Sequence, residues 1–240
     1  MEEHVFMIRL DKFLADMGVG TRSELKKAIR AGRVKIDGII AKKPEEKVDT
    51  EEQVVTFDDK VIGYQEYEYF MLHKPAGVVS ATKDPKEKTV LDLITGTRRK
   101  DLFPVGRLDK DTEGLLLITN DGDLSHRLLT PGKHVDKTYF ARIEGCVTEE
   151  DVKSFSEGLD IKDDTLTMPA KLVVLSAGDI SEIEVTIQEG RYHQVKRMFE
   201  AVGKKVIYLK RLSMGSLMLD ETLEKGAFRP LTEEELDKLC

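Results

Sequence analysis

One segment of the chain combines carboxylates with an apolar run. The sequence GRLDKDTEGLLLITNDG, residues 106–122, places Asp109, Asp111 and Glu113 just before the uninterrupted apolar residues 115–118. A short apolar run bounded by turn residues is typical of a buried strand. Carboxylates beside such an element can bind a metal ion, act as a nucleophile or general base, or brace a loop.

Three interpretations of these carboxylates are open from the segment alone. A calcium loop fits the first half, which ends on Gly114, but Asn120 stands where such a loop needs a bidentate glutamate, and a strand follows instead of a helix. A glycosidase-like carboxylate pair needs a fixed separation that neighbouring residues do not establish. The third interpretation is structural, since an aspartate near Gly and Thr commonly caps or braces a loop.

Two other segments supply groups that a reactive carboxylate would need. GRYHQVKRMFEAVG, residues 190–203, predicts a helix that carries Lys196 and Arg197 in its first turn and follows Arg191. A cation beside a buried carboxylate favours its ionised form, which a nucleophile or general base requires. HKPAGVVSAT, residues 73–82, follows a predicted strand, and its glycine permits a close approach of backbone.

The composition argues against several classes of protein. The 240 residues are 40% hydrophobic and 35% charged, with no apolar stretch long enough to cross a membrane. The start of the chain lacks a signal-peptide core, which predicts a cytoplasmic protein. Cys146 and Cys240 are too few for a disulfide framework or zinc cluster and are expected to be reduced. The histidines are scattered, so no metal is predicted.

Charge is distributed unevenly along the chain. The net charge of −7 argues weakly against a nucleic-acid partner. However, basic residues outnumber acidic ones in residues 1–43 and 190–211, whereas acidic residues dominate 144–189. This distribution is expected of a protein with one anion-binding surface.

The elements that would position these groups fall into two domains, predicted at 1–60 and 67–240 with a linker at 61–66. The first contains two short amphipathic helices, the second of them with a Thr21–Glu24 capping-box pattern, and hairpins at VKIDGII and VVTFDDKVI. In the second domain, the predicted strands are EYFMLHK, GLLLIT, KTYFARIEG, PAKLVVL, SEIEVTIQE and KVIYLKRLS, and the predicted helices are LSHRLL, TEEDVKSFSEGL, YHQVKRMFEAV and TEEELDKL. The fold class is therefore α+β, with a mostly antiparallel mixed sheet flanked by helices.

One face of the second predicted helix is basic. Arg22, Lys26 and Arg30 are four residues apart, Lys27 lies beside them, and Arg33 follows the helix. A charge run is commonly a solvated helix face, so this pattern alone leaves RNA binding and a solvated surface equally open. The stretch RLDKFLADMGVGTRSELKKAIRAGRVKIDG, however, resembles the S4 RNA-binding module, which presents basic side chains to folded RNA.

Taken together, the motifs resemble one enzyme family over nearly the whole chain. The S4-like module, YFMLHKPAGVVSAT, VGRLDKDTEGLLLITNDGDLSHRLLTPGKHVDKTY, EGRYHQVKRMFEAVG and RPLTEEE are similar to the pseudouridine synthases of the bacterial ribosomal small-subunit type. The motif around GRLD marks the broader ribosomal group, while YHQVKRMF with this tail favours 16S rRNA. The resemblance implies that an aspartate, without a cofactor, isomerises a uridine of rRNA to pseudouridine.

The resemblance also implies roles for individual residues. Asp109 takes the place of the aspartate that either adds covalently or removes the 2′ proton of the sugar to give a glycal. Tyr139 takes the place of the tyrosine that packs on the target base, although a lone tyrosine in a strand is more commonly a core residue. Lys196 is the preferred ion partner of Asp109, ahead of Arg191 and Arg197.

Asp111 and Glu113 match variable positions of the motif, so they are expected to be loop residues exposed to solvent. Arg107 matches an arginine that holds RNA with its target nucleotide flipped out, although it could simply pair with a neighbouring acid. RNA contacts are predicted for one set of cations: Arg9, Arg22, Lys26, Lys27, Arg30, Arg33, Lys74, Arg107, Arg191 and Arg197.

The expected partner is ribosomal RNA or a partly assembled small ribosomal subunit, with no membrane, and the protein is expected to be a monomer. Two alternatives stay open. One is an enzyme of the same family that acts on 23S rRNA of the large subunit. The other is a non-catalytic RNA-binding ribosome-assembly factor, against which the joint presence of Asp109, Tyr139 and Lys196 counts.

Overall fold

The computed structural model describes residues 7–239, which divide into two compact units. The first contains the residues up to Glu68 together with Gly96–Leu102, and the second contains Tyr69–Thr95 and the residues from Phe103 onward. The sequence predicts residues 96–102 as part of the second domain, so the structure differs at this segment. The predictions made for residues 1–6 and for the thiol of Cys240 lie outside the described residues.

The first unit, as far as it is described, is built from short elements. They are β1 (Met7–Arg9), α1 (Leu10–Asp16), α2 (Arg22–Arg30), β2 (Val34–Ile36), β3 (Ile39–Ile40), β4 (Lys47–Asp49), β5 (Val55–Phe57) and β6 (Lys60–Ile62). β1 pairs with β4, and the other strands form an antiparallel sheet in the order β3–β2–β5–β6. Strand β6 extends into the segment predicted as a linker.

Local sequence signals account for the elements of this unit. The Thr21 side chain accepts a hydrogen bond from the Glu24 N–H, and the Glu24 carboxylate accepts one from the Thr21 N–H at 2.8 Å, so the predicted capping box is formed. Asp37 and Gly38, with φ of 51° and 81°, make the two-residue turn between β2 and β3. The apolar faces of both helices pack into one core, which leaves the basic face of α2 exposed.

The second unit is built on one mixed sheet. Its strands are β7 (Tyr69–Lys74), β8 (Phe103–Pro104), β9 (Glu113–Thr119), β10 (Lys137–Glu144), β11 (Lys171–Ser176), β12 (Ile180–Ile187), β13 (Lys205–Met214), β14 (Leu217–Met218) and β15 (Phe228–Pro230). Its α-helices are α3 (Gly122–Leu129), α4 (Glu149–Glu157), α5 (Gln194–Ala201) and α6 (Glu233–Leu239). Every strand and helix predicted for this domain is confirmed. The sequence does not predict β8, β14 and β15, because strands of two or three residues are too short to show an alternation of apolar and polar residues. Within residues 7–239, no helix has the length and apolar composition that crossing a membrane requires.

Strand β9 lies inside this sheet. The order is β11–β12–β10–β13–β9–β7–β15, and among the strand pairs of the described chain only β13 and β9 run parallel. The side chains of residues 115–118 are completely buried. Leu115 and Leu117 pack in a core with Leu124 and Leu128 of α3. The predicted buried strand is therefore confirmed, and it holds the end of the acidic loop in place.

Strands β9 and β13 approach each other closely at Gly114. This glycine pairs with Arg211, has a φ of 106°, and would place a Cβ only 2.2 Å from the Arg211 carbonyl oxygen. Because only glycine tolerates both the conformation and the contact, the residue type here follows from the strand spacing. The contact fixes the start of β9, and therefore the loop before it, against β13.

Candidate active site

Asp109 lies in the loop that leads into β9, and residues at the end of β7 hold this loop. The Nζ of Lys74 donates hydrogen bonds to the carbonyl oxygens of Asp109 at 3.0 Å and Thr112 at 2.8 Å. The N–H of Gly77 donates to the carbonyl oxygen of Lys110 at 2.7 Å. The HKPAG segment therefore contacts the Asp109 loop, but a Cβ at Gly77 would meet no atom within 4 Å, so its φ of 86° and not a close approach accounts for the glycine.

Lys74 is a correction to the predicted set of RNA contacts. Its side chain is completely buried, and burial lowers the pKa of Lys74 to about 8. A buried ammonium group needs hydrogen-bond acceptors around it, and the carbonyl oxygens of the loop supply them. Lys74 therefore positions the backbone from Asp109 to Thr112 and does not face RNA.

Lys196, on α5, is the ion partner of Asp109. Its Nζ lies 3.1 Å from Asp109 Oδ2 and 2.6 Å from Asp111 Oδ1. Burial opposes the charged form of Lys196, but the hydrogen bonds with Asp111 and Asp109 outweigh this effect and raise the pKa of Lys196. The predicted pairing of Lys196 with Asp109 is thus present in the structure. Asp111 is exposed, as expected, but it shares the cation and is not an isolated loop residue.

His193 is a second neighbour of Asp109 and was not predicted as a site residue. Its Nε2 lies 3.5 Å from Asp109 Oδ1. The residue has a left-handed backbone conformation at the start of α5, and its ring stacks on Tyr192 with 3.8 Å between the ring centres. The signal that could have found it is spacing, because residues 193 and 196 are three apart and so share one helix face.

The two arginines near Lys196 have other partners. Arg191 pairs with Glu189 at 3.0 Å and donates to the carbonyl oxygens of Thr165 and Leu166, each at 2.7 Å. Arg197 pairs with Asp163 at 2.5 Å, and this contact lowers the pKa of the Asp163 carboxyl. Both arginines therefore brace the segment before β11, and their contact with RNA stays a prediction.

Glu113 differs from its predicted exposure. It is the first residue of β9 and only 8% exposed. The hydroxyl of Tyr208 donates to Glu113 Oε2 at 2.7 Å, and the Nζ of Lys225 lies 2.7 Å from the same oxygen. Burial opposes ionisation of Glu113, but these two partners outweigh it and lower its pKa. The prediction of a solvent residue is wrong, because partners distant in sequence satisfy this carboxylate.

Asp109 faces a cleft of about 460 Å³, referred to below as the cleft. Its lining includes Arg107, Asp109, Lys137, Tyr139 and Arg211. A smaller recess adjoins the cleft and shares Asp109 and Tyr139 with it. Its lining combines polar and charged residues with four apolar ones: Leu108, Ile187, Val195 and Leu209. The volume of the cleft is in the range of binding sites for small ligands.

The structure thus brings several predicted residues to one place. Asp109, Tyr139 and Arg107 line the cleft, and Lys196 lines the recess. Tyr139 is 8% exposed and therefore packs mainly in the core, whereas Arg107 is exposed to solvent at the cleft. No group of three or more His, Cys, Asp or Glu side chains suited to a metal ion occurs within residues 7–239.

The predicted RNA contacts of the first unit form a separate group. Four cations of α2 are exposed, and their side chains form no hydrogen bond or ion pair with another described residue: Arg22, Lys26, Lys27 and Arg30. Arg9 pairs with Asp11 at 3.0 Å. Arg33 pairs with Asp58 and lies over the ring of Phe57, 4.7 Å from its centre. The α2 cations are therefore the ones that are free to meet phosphates.

Comparison with known proteins agrees with this arrangement. The family model for RNA pseudouridylate synthases matches residues 68–201, and the model for the S4 domain matches residues 8–54. The chain is 49% identical over 235 residues to an uncharacterized RNA pseudouridine synthase of Bacillus subtilis, with 97% of this chain and 98% of the relative covered. It is 42% identical over 233 residues to the ribosomal small subunit pseudouridine synthase A of Haemophilus influenzae, with 97% and 99% covered.

A solved structure gives the same result for the fold. The crystal structure of a pseudouridylate synthase is 41% identical to this chain and matches it with a TM-score of 0.69, covering 97% of this chain and 100% of that one. The family model spans more than half of the chain, and the relatives align over nearly all of it. The chain therefore belongs to the RNA pseudouridine synthase family.

Proposed function

We propose that the enzyme isomerises a uridine of 16S rRNA, in the small ribosomal subunit, to pseudouridine, and that Asp109 is the catalytic residue. The substrate is supported by relatives named ribosomal small subunit pseudouridine synthase A at 42% identity over nearly full length. The role of Asp109 is supported by its position, where the cleft meets the recess and the Nζ of Lys196 lies 3.1 Å away.

The chemistry requires a group that acts on the sugar or the base. The bond from C1′ to N1 of uracil breaks, the base rotates, and C1′ bonds to C5, which loses its proton while N1 gains one. The Asp109 carboxylate either adds covalently or takes the 2′ proton to give a glycal. Lys196 provides positive charge beside it, Tyr139 packs on the base and can receive the C5 proton, and no cofactor takes part.

RNA binding precedes this chemistry. A stacked uridine hides its glycosidic bond, so the target nucleotide must leave the helix before it can enter the cleft. Arg107, exposed at the cleft, supports a role in holding the RNA in this flipped form. The exposed cations of α2 support backbone contacts by the S4 domain.

We expect the enzyme to act as a monomer, with Asp109, Tyr139 and Lys196 supplied to the cleft and the recess by the same chain. Its RNA is either free 16S rRNA or a partly assembled small subunit. The named relatives are bacterial, and a bacterial enzyme with this substrate works in the cytoplasm.

The test is release of tritium from uridine labelled at C5. Unmodified 16S transcripts, small-subunit particles and 23S transcripts are each incubated with the wild-type enzyme, Asp109→Asn and Asp111→Asn. We expect release from a small-subunit substrate by the wild type and at least about a thousandfold loss in Asp109→Asn, which should still bind RNA. Asp111→Asn is the matched control, and we expect a loss of at most about tenfold, because it removes only the second partner of Lys196.

The outcomes separate the alternatives. Release from 23S but not from 16S RNA would overturn the small-subunit assignment. No release from any rRNA, with RNA binding intact, would favour a non-catalytic assembly factor. Equal losses in the two aspartate variants would contradict the particular role of Asp109.

A further inference from the structure

Two buried cations in the cleft have no counterion. Lys137 is 8% exposed and Arg211 is 2% exposed, and neither forms an ion pair with another residue in the described part of the chain. The Nζ of Lys137 donates to the carbonyl oxygen of Val135 at 2.9 Å, and the Nε of Arg211 donates to that of Leu115 at 2.8 Å. The Nη2 of Arg211 is buried and has no hydrogen-bond partner among the described residues.

The two cations are close neighbours. They lie on adjacent strands, β10 and β13, where Tyr139 is paired with Arg211 and stands two residues after Lys137. Burial and the charge of Arg211 lower the pKa of Lys137, with a smaller opposite effect from Asp136. Two like charges in a poorly solvated site are unfavourable unless an anion joins them.

The carboxylates of the cleft are already engaged. Asp109 is paired with Lys196, and Glu189 is paired with Arg191 and accepts a hydrogen bond from Gln194 at 2.8 Å. Asp136, next to Lys137 in the chain, accepts a hydrogen bond from Gln188 at 2.9 Å. Among the described residues, no carboxylate forms an ion pair with Lys137 or Arg211, so an anionic ligand would supply the negative charge that the two cations lack.

We propose that Lys137 and Arg211 bind a backbone phosphate adjacent to the target uridine. This proposal rests on the proposed function and adds a binding site for the substrate. A uracil carbonyl could accept the free N–H of Arg211 but would bring no charge, whereas a phosphate satisfies both needs, and guanidinium groups suit phosphate geometry.

The shape of the site agrees with this assignment. The recess offers Leu108, Ile187, Val195 and Leu209 for packing on the base, Asp109 and Tyr139 line both the recess and the cleft, and the two cations line only the cleft. With the base in the recess and the sugar at Asp109, a phosphate attached to that sugar lies on the cleft side. The phosphate site would thus hold the sugar in register with the carboxylate.

The test is the salt dependence of RNA binding. Asp109→Asn, which we expect to bind RNA without turnover, is compared with the double variants that add Lys137→Gln or Arg211→Gln, with 16S rRNA as ligand. Each added substitution should reduce the slope of log affinity against log salt concentration by about one. If the affinities of two variants are equal at 1 M salt, a slope smaller by one makes the affinity about tenfold weaker at 0.1 M salt. Lys205→Gln, which changes an exposed lysine of β13, is the control and should change neither quantity.

Folding and catalysis are measured separately. Arg211 also donates a hydrogen bond to the Leu115 carbonyl oxygen, so circular dichroism is used to check that Arg211→Gln is folded. Lys137→Gln tests the phosphate site while this hydrogen bond stays in place. An unchanged slope in Lys137→Gln would overturn the phosphate site even if turnover falls. If the wild type releases no tritium but the slopes change as expected, the proposed function fails while the phosphate site stands.

Discussion

The basic face of α2 and the basic segment 190–211 have the same sequence signal and different structures. On α2, the cations are exposed and have no side-chain partner in residues 7–239. In the second segment, Arg191, Lys196, Arg197 and Lys204 each pair with a carboxylate of the same unit. An excess of Lys and Arg therefore does not by itself identify an RNA-binding surface.

The difference lies in what each set of charges can do. Exposed cations can neutralise any phosphate that approaches, which gives affinity without positioning. Paired and half-buried cations hold carboxylates and loops in fixed places. The comparison predicts that substitutions of the exposed cations on α2 change binding, whereas substitutions of the paired cations in the second segment change turnover or stability.

The largest effect is expected from Lys196→Gln. This change removes the cation 3.1 Å from Asp109, so kcat should fall at least about a hundredfold, as for loss of a preorganised charge in an active site. The dissociation constant for RNA should change little, because Lys196 contacts carboxylates. Steady-state tritium release at saturating RNA and a filter-binding assay measure the two quantities. A loss of affinity as large as the loss of turnover would break the comparison.

Lys74→Met should mainly affect stability and loop geometry. The buried carbonyl oxygens of Asp109 and Thr112 would lose their donor, which costs about 2 kcal/mol of unfolding free energy. Urea unfolding measures this, and kcat should fall as the loop loosens. Lys83→Met, at an exposed position of the following loop, is the control and should unfold like the wild type. Equal stability of both variants would contradict the role given to Lys74.

The site could be predicted from the sequence only in part, and the limit is the distance between partners. The capping box of α2 and the two-residue turn between β2 and β3 each depend on residues within three positions of one another. Both could therefore be predicted from the sequence. The pairing of Lys196 with Asp109 followed from family resemblance. The burial of Glu113 depends on Tyr208 and Lys225, which lie far along the chain, and no local pattern shows that they meet it.

The burial of Lys74 illustrates the same limit. A lysine at a strand end is usually at the surface, and the carbonyl oxygens of Asp109, Lys110 and Thr112 reach Lys74 only when the loop before β9 folds over it. The cleft cations Lys137 and Arg211 were missed for a related reason. Each is one residue of an alternating strand, and only the pairing of β10 with β13 brings them together.

A smaller effect, on RNA binding, is expected from Lys26→Gln on the basic face of α2. Loss of one exposed cation should reduce the salt slope of RNA binding by about one and weaken affinity about tenfold at 0.1 M salt. At saturating RNA, kcat should equal that of the wild type. Lys153→Gln, on the exposed side of α4, provides the control. A kcat defect in Lys26→Gln would show that α2 does more than bind.

The smallest effect concerns Asp151, whose partner Lys204 lies 2.9 Å away. Burial opposes ionisation of Asp151, but Lys204 and the Thr148 N–H outweigh it and lower its pKa. A carboxyl pKa that is lower in the folded state contributes stability above about pH 4, and this is lost as pH falls below that value.

The free energy of unfolding of Asp151→Asn should therefore be about 1 kcal/mol lower than that of the wild type at pH 7. Between pH 5 and pH 3, the stability of this variant should fall less than that of the wild type. Thermal unfolding across this range measures both. Asp164→Asn, at an exposed loop position, should follow the wild-type curve. An identical acid dependence in Asp151→Asn would mean that the Lys204 pair adds no stability.

The close contact at Gly114 has a consequence for how the enzyme can change. A Cβ at this position would come within 2.2 Å of the Arg211 carbonyl oxygen, so any other residue would force β9 away from β13. Asp109 precedes one of these strands and Arg211 belongs to the other, and a wider gap would therefore displace the carboxylate from the cleft cations. The distance between the two backbones at Gly114 thus sets how far Asp109 stands from Arg211 across the cleft.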